Sequence, residues 1–441
     1  MLLMSDRLTA WAKRTGVVDK VLRYNPLYYR PVRRLLRQLD VMDRAARQDL
    51  SDRLTLRALG WAARTPAGRN GAAQLGAWPI LEKARVRDRT EDYYSHGSIV
   101  IPASTSGTTG TPLELRRSLR CLASEQAFID DLLVPWNLTF RTARIARMRA
   151  DPIKPIEDRE PPYGVLTNGG RRLLLSASHL SPQTCDWYYD ELRRFAPDVL
   201  YIHPSSGEPL ARFFQQRGRS LSIPLVLTSS ETVFPAGRRL MEDVFRATMI
   251  DYYGLAERVA FAASREEGAY YFNPAYGRIE LLPLGDVEAP PDCRAMEVVA
   301  TGFWNEAMPL IRYRTGDRVI VPDAYSPSDL EDVVLGLKPV IAIQGRDKEY
   351  MISPSGEVVG GLPHVTHGVS GLVRMQFIQE ALDDVRIRVV ADPRVGAVDT
   401  TTLMNNVRYW VPQDMRVTIE TVDELVRLPS GKTPFVIRRV G

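Results

Sequence analysis

The spacing of apolar residues changes several times along the chain, and each spacing predicts a different element. Across residues 5–65 leucines recur at helical intervals among arginines, as in Arg33-Arg34-Leu35-Leu36-Arg37, which predicts amphipathic helices. Short apolar runs then alternate with helical stretches. Strands are expected at 113–117, 199–202, 225–228, 249–252, 296–301 and 318–321, and helices at 121–133, 190–195 and 238–247. Strands alternating with helices imply a layered α/β core. The tail differs: strand-like runs at 373–378, 385–390 and 416–420 flank a helical stretch at 402–411. That pattern predicts a separate small α+β domain of about 90 residues.

Composition narrows the class. Of 441 residues, 44% are apolar and 25% charged, which is ordinary for a globular chain and argues against disordered, fibrous or membrane-spanning proteins. At about 150 residues per domain the length suggests two or three domains. The formal net charge of +5 is mild over this length, and no basic stripe is concentrated enough to predict a nucleic-acid partner. The arginines between 23 and 69 read as a solvated helix face in preference to a membrane surface. Cys121, Cys185 and Cys293 are far apart and form no CxxC pair, which disfavours a disulfide framework and fits a reducing compartment. There is no 18-residue apolar run, and residues 1–20 meet Asp6 and Arg7 before any signal-peptide core can form. The expectation is a cytoplasmic protein without stable membrane insertion.

The sharpest local feature is Ser104-Thr105-Ser106-Gly107-Thr108-Thr109-Gly110-Thr111-Pro112, directly after apolar Ile99-Val100-Ile101. Glycines let a loop turn its N–H groups inward and hydroxyls add donors, so such a loop can wrap phosphate oxygens. It is not a Walker A loop, because no GK[ST] follows. Three further segments carry candidate chemistry. In Asp251-Tyr252-Tyr253-Gly254-Leu255-Ala256-Glu257 a strand ends in an aromatic-glycine turn followed by a carboxylate. In Met308-Pro309-Leu310-Ile311-Arg312-Tyr313-Arg314-Thr315-Gly316-Asp317 an acid follows a glycine turn and can accept from a diol. Leu428-Pro429-Ser430-Gly431-Lys432-Thr433-Pro434 sets a lone lysine between turn residues. Each alone has an ordinary reading: a loop, a surface glutamate, a β-turn acid, a solvated lysine.

In order and spacing these segments together resemble the AMP-forming adenylate-forming superfamily of acyl-CoA synthetases, nonribosomal-peptide adenylation domains and luciferases. Thr105 to Pro112 is similar to its phosphate loop, Tyr253 to Glu257 to its YGxTE motif, and Tyr313 to Asp317 to its YRTGD motif. Gln344-Gly345-Arg346-Asp347-Lys348 resembles its hinge, and Ser430-Gly431-Lys432 its terminal lysine motif. Within the superfamily the phenylacetate-CoA ligase and CapK-like branch fits best. Leu113 stands where other branches place a lysine, and Trp78-Pro79-Ile80-Leu81 and Ala307 to Tyr313 look CapK-like.

The resemblance implies an α/β fold: a large multi-layer N-terminal domain, 1–347, with sheets flanked by helices, binding ATP and the acid. A small mobile α+β domain, 348–441, carries the catalytic lysine and rotates about Lys348. It implies activation of a carboxylic acid, aromatic or hydroxylated, to an acyl-adenylate with release of pyrophosphate, then transfer to a thiol or amine. Thr105, Ser106, Gly107, Thr108, Thr109 and Gly110 would hold the β- and γ-phosphates, and Glu257 would bind Mg²⁺. Tyr252, Tyr253, Gly254, Ser229, Ser230 and Glu231 would flank the adenine, Asp317 the ribose hydroxyls, and Arg346 ribose or phosphate. Lys432 would bridge the carboxylate and the α-phosphate, so Lys432, Glu257 and Thr109 are the catalytic set. His203 and Ser205 would line the acyl pocket. The implied cofactors are ATP and Mg²⁺, with coenzyme A as one acceptor. A carrier-protein thiol and an amine are the others, since residues 350–356 lack the usual glycine-rich CoA-side signature. The related ligases are often dimers, so a homodimer is an expectation. Ala256 removes a hydroxyl near the α-phosphate, with Arg258 as its candidate substitute. His364 and His367 lack a third ligand and do not make a metal site. The alternatives are acylation of a glycan or secondary-metabolite amine, and a degenerate nucleotide-binding protein on the same fold.

Overall fold

The computed structural model describes residues 21–440 apart from 96, 98, 105–112, 150–152, 156–157, 159, 178, 182, 234, 286–288, 345–349, 357, 360–361, 367–368, 392–394 and 427–434, and apart from the side chains of 205, 358, 363, 364 and 373. Helix α1 (Pro26–Leu39) begins where the Asn25 side chain accepts the Leu27 N–H, and it buries Val32, Leu36 and Leu39 as the amphipathic pattern requires. The flanking Arg33 pairs with Asp131. Helix α2 (Arg44–Ala62) is capped by Asp43, which accepts the Ala46 N–H at 2.8 Å. From α2, Arg47 donates to the carbonyls of Leu39, Met42, Leu335 and Gly336. One guanidinium thus satisfies carbonyls left over at the ends of separate helices. Ahead of the short helix α3 (Lys83–Asp88), Leu81 bridges Tyr313 in parallel: its N–H donates to Arg312 O at 2.8 Å and its carbonyl accepts from Arg314 N at 3.0 Å.

Strands β1 (Val100–Ser104) and β2 (Glu114–Ser118) pair antiparallel. Helix α4 (Leu119–Leu132) starts at Ser118, whose hydroxyl accepts the Cys121 N–H at 3.0 Å and donates to Glu306 at 2.7 Å. The helix is buried along most of its length, including Glu125, Gln126 and Asp130. Cys121 here and Cys185 are buried, whereas Cys293 is partly exposed, and burial pushes the Cys121 thiol up to about 12. Iodoacetamide at pH 8 is therefore expected to label Cys293 alone in the folded protein, and all three thiols after denaturation; mass spectrometry of the digest reads the outcome.

The central sheet has, among the described residues, eight strands: β3 (Ile145–Arg149), β4 (Gly164–Thr167), β5 (Arg172–Ser176), β6 (Val199–Ile202), β7 (Leu225–Ser229), β8 (Thr248–Gly254), β9 (Phe261–Glu266) and β10 (Ala269–Phe272). Their spatial order is β10-β9-β8-β7-β6-β3-β5-β4. Strands β5, β3, β6, β7 and β8 run parallel, and antiparallel strands close both edges. Helices α5 (Cys185–Phe195), α6 (Pro204–Gln216) and α7 (Pro235–Phe245) follow β5, β6 and β7. Side chains alternate strictly. Ile145, Val199, Leu225 and Ile250 face α1, α2 and α4, while Ala146, Met148, Leu200, Val226 and Met249 face α5, α6 and α7. Cover on both faces explains why these strands read as continuous apolar runs. From β3 the chain moves outward to β5, then returns to β6 on the other side, so the strand order reverses between β3 and β6.

A third sheet holds β11 (Gly277–Pro283), β12 (Cys293–Gly302), β13 (Tyr313–Pro322) and β14 (Ala342–Gln344), all antiparallel, with α8 (Pro327–Val334) alongside. The strands expected at 296–301 and 318–321 are both longer than their apolar cores. Asp317 in consequence lies inside β13 and not after a free turn. Glycine still matters there: Gly316 sits at φ +77°, where the pairing with β12 slips between Glu297 and Val299, a β-bulge that re-aims the acid.

The tail has its own core, formed within 351–436 by residues such as Met351, Phe377, Ile387, Leu403 and Val436. Its elements are β15 (Met351–Ile352), β16 (Val358–Val359), β17 (Leu372–Ala381), β18 (Asp384–Ala391), α9 (Thr400–Trp410), β19 (Arg416–Thr421) and β20 (Val436–Arg438), the last sheet ordered β19-β18-β17-β20. Buried Gln379 accepts the Ile352 N–H at 3.0 Å, joining β15 to β17. Tyr409 on α9 meets Phe213 on α6 with ring centroids 5.3 Å apart. No described helix is long and apolar enough to cross a membrane.

Candidate active site

The two aromatic-acid motifs sit on different sheets and are laced together by reciprocal bonds. Tyr313, at the start of β13, donates to Glu257 Oε1 at 2.7 Å, and Tyr253, near the end of β8, donates to Asp317 Oδ2 at 2.7 Å. Each motif supplies the phenol that holds the other motif's carboxylate. Glu257 and Asp317 are both buried. Burial first, and then the Asp317 carboxylate, push the Tyr253 phenol well above its ordinary range, so it stays a donor.

The Glu257 turn is fixed from several directions. Arg258 lies at φ +61°, an unusual conformation for a residue with a side chain. Its guanidinium pairs with buried Glu125 on α4, which also accepts from the Tyr276 hydroxyl. Arg117 donates to Ala256 O at 2.8 Å. Behind the turn, a Cβ on Gly277 would stand 2.0 Å from Val259 O and one on Gly302 2.8 Å from Arg258 O. These two glycines pair across β11 and β12. Arg258 directs its charge toward Glu125 on α4 and so anchors the turn.

Lys83 was not among the sequence-derived candidates. Its Nζ stands 3.7 Å from Glu257 Oε1. The Leu81 bridge to β13 sets this position, since two residues beyond the bridge the chain enters α3 beside the acid. The sequence signal was present in the segment Trp78 to Leu81, which ends two residues earlier.

A second group gathers at the carboxyl ends of β3, β6, β7 and β8. Arg149 donates to His203 Nε2 at 3.2 Å, Ser229 Oγ at 3.1 Å, Ser230 Oγ at 2.8 Å and the Tyr201 hydroxyl, and its guanidinium lies 4.4 Å from the Tyr201 ring centroid. The Tyr201 and Tyr252 hydroxyls are 2.5 Å apart. Because Nε2 of His203 accepts, its proton is on Nδ1, which lies 3.3 Å from Ser229 O and 3.8 Å from Glu231. Ser230 is exposed at φ +74°, turning the chain sharply after β7. Tyr252 is buried and stacks on Phe261 at 5.5 Å, so it walls the site from the core side. Gly254 ends β8, and Ser205 lies in the first turn of α6. Arg149 and Tyr201 carry no motif in the sequence; only the strand order makes them neighbours. Thr105, Ser106, Gly107, Thr108, Thr109, Gly110, Arg346, Lys348 and Lys432 lie outside the described residues, as do His367 and the side chains of Ser205 and His364.

A family described as the CapK C-terminal domain matches residues 351–439. The chain is 20% identical over 379 residues to Protein CapK of Staphylococcus aureus, covering 83% of this chain and 81% of that protein. It is 25% identical over 273 residues to a phenylacetate-coenzyme A ligase of Thermus thermophilus, 57% of each chain. A phenylacetate-coenzyme A ligase of Pseudomonas putida is 24% identical over 55% of this chain and 56% of its own. The chain thus spans little more than half the length of these two ligases. Among solved structures, a 2-hydroxyisobutyryl-CoA ligase in complex with 2-HIB-AMP and CoA aligns with a TM-score of 0.49 at 15% identity over 90% of both chains.

Proposed function

We propose that this chain is an AMP-forming ligase that activates a carboxylic acid with ATP, in keeping with its similarity to CapK and to phenylacetate-coenzyme A ligases. The observation that carries the reading is the reciprocal lacing of Tyr313 to Glu257 and Tyr253 to Asp317, which brings the nucleotide-binding acids of two motifs together. In the first step an oxygen of the acid forms a bond to the α-phosphorus, the bond to the bridging β-oxygen breaks, and pyrophosphate leaves. The acyl-adenylate then passes its acyl group to a thiol or amine, and AMP leaves.

The residues divide this work by position. Asp317 accepts from the ribose hydroxyls, and the Tyr253 phenol fixes its rotamer. Glu257 is a buried, hard oxygen donor next to the expected phosphates, which suits Mg²⁺, an ion that takes one or two carboxylates and completes its shell with phosphate and water. When bound, Mg²⁺ offsets charge developing on the phosphates. Lys83 adds a cation at the same place. The loop 105–110 and Lys432 are assigned by resemblance to the phosphates and to the acid with the α-phosphate. Residues 348–441 are read as the mobile domain, turning about Lys348 so that Lys432 serves only the first step. The acceptor is coenzyme A, a carrier-protein thiol or an amine.

Acid-dependent ATP–pyrophosphate exchange across a panel of carboxylates tests the reading, and exchange with no acid would overturn it. Lys432→Ala is expected to abolish exchange while leaving transfer from a supplied acyl-adenylate largely intact. Equal loss of both half-reactions would remove the assigned role.

A further inference from the structure

In an open parallel sheet, ligands bind beyond the carboxyl ends of the strands, where the strand order reverses. In this sheet that point lies between β3 and β6. Arg149 is the last residue of β3, and His203 directly follows β6; their side chains meet across this crevice at 3.2 Å. A guanidinium is permanently charged, and its planar fork of donors matches a carboxylate, which would take over the N–H groups that now donate to the hydroxyls of Tyr201, Ser229 and Ser230. Around it stand hydroxyls of Tyr201, Ser229 and Ser230, each able to rotate and donate to an incoming anion. The imidazole accepts from Arg149, so it orients the guanidinium and adds no charge of its own.

Some arginines of this chain close structure through backbone carbonyls. Arg47 donates to carbonyls of Leu39, Met42, Leu335 and Gly336, and Arg144 to the carbonyl of Phe195. Among its contacts, Arg149 reaches side chains of β6, β7 and the turn after β7. The Tyr201–Tyr252 bond links the group to β8, whose next residue, Tyr253, holds Asp317. Ser230 is exposed, so the group reaches the surface.

We propose that this switch-point crevice recognises a second carboxylate on the acid being activated, with Arg149 as the specificity-determining residue, so that the preferred substrate is a dicarboxylic acid. The inference rests on the ligase reading above and narrows its substrate class.

The test compares matched acids, butanoate with succinate and phenylacetate with 4-carboxyphenylacetate, in pyrophosphate exchange by the full chain and by Arg149→Met and Arg149→Lys. The wild-type chain is expected to favour the dicarboxylate of a pair by about ten- to a hundredfold in kcat/KM, the span of one charge-assisted hydrogen bond. Arg149→Met should erase that preference, and Arg149→Lys, which keeps the charge but not the fork, should retain part of it. Thermal melts confirm that the variants are folded, and if Arg149→Met is not, the lysine variant alone decides. Preference for the monocarboxylates, or a preference unchanged in the variants, overturns the site and leaves the ligase reading standing. Exchange with no acid overturns the ligase reading. Calorimetry with 4-carboxyphenylacetate then decides the site separately: binding weakened in the variants upholds it, and binding absent or unchanged overturns it.

Discussion

Glu257→Gln is expected to lower acid-dependent pyrophosphate exchange about 10²–10³-fold with the fold intact, the range for losing one preorganised electrostatic contact to the reacting group. The amide keeps the size of the side chain and still offers an oxygen to the Tyr313 hydroxyl, so the reciprocal lacing survives. What disappears is the buried negative charge. Lys83, 3.7 Å away, would then face a neutral group, which leaves the pocket more positive and the metal ion less welcome. The half-saturating Mg²⁺ concentration should rise along with the fall in rate. Exchange measured against Mg²⁺ separates this from general damage: a variant that matches the wild type at every Mg²⁺ level would remove Glu257 from the site.

Arg258→Leu is expected to cost about 3–5 kcal/mol of stability, because it strands a buried charge. Its partner Glu125 has a side chain only 2% exposed, against 20% for Arg258. Glu125 would keep the Tyr276 hydroxyl but lose its counter-ion. The double replacement Glu125→Leu/Arg258→Leu should recover about half of the loss, remaining short of wild type by about 1–3 kcal/mol for the orphaned Tyr276 hydroxyl. Urea unfolding of both singles and the double closes the cycle. Additive losses would show that the two side chains do not act as a pair.

The sequence made the motif acids legible because their chemistry is local. Tyr253 and Glu257 end one strand, and Tyr313 to Asp317 open another, as short strings whose residue types announce a turn and an acid. The parallel strands at 199–202, 225–229 and 248–254 were legible for another reason: both of their faces are covered, so their apolar runs are unbroken. Strand β3 was not, because Ile145-Ala146-Arg147-Met148-Arg149 interleaves arginines with apolar residues. Its arginine matters only once β3 lies beside β6, a contact spanning 54 positions in sequence. Lys83 was hidden in the same way, since its nearness to Glu257 depends on the Leu81 bridge to β13. Arg258 was legible as a charge beside Ala256, but its direction was not: the positive φ that turns it toward Glu125 is a property of the packed loop.

The paired glycines behind the active turn also set how this chain can vary. Gly277 and Gly302 face each other in register, and the main chain of Arg258 and Val259 rests on both. A single methyl at Gly277 has backbone, and not a yielding side chain, in its way. Neither position can be explored by ordinary drift without pressing on the main chain that follows the Glu257 carboxylate. In a library of random variants scored for folding and for exchange, these two positions should be as intolerant as the catalytic acids.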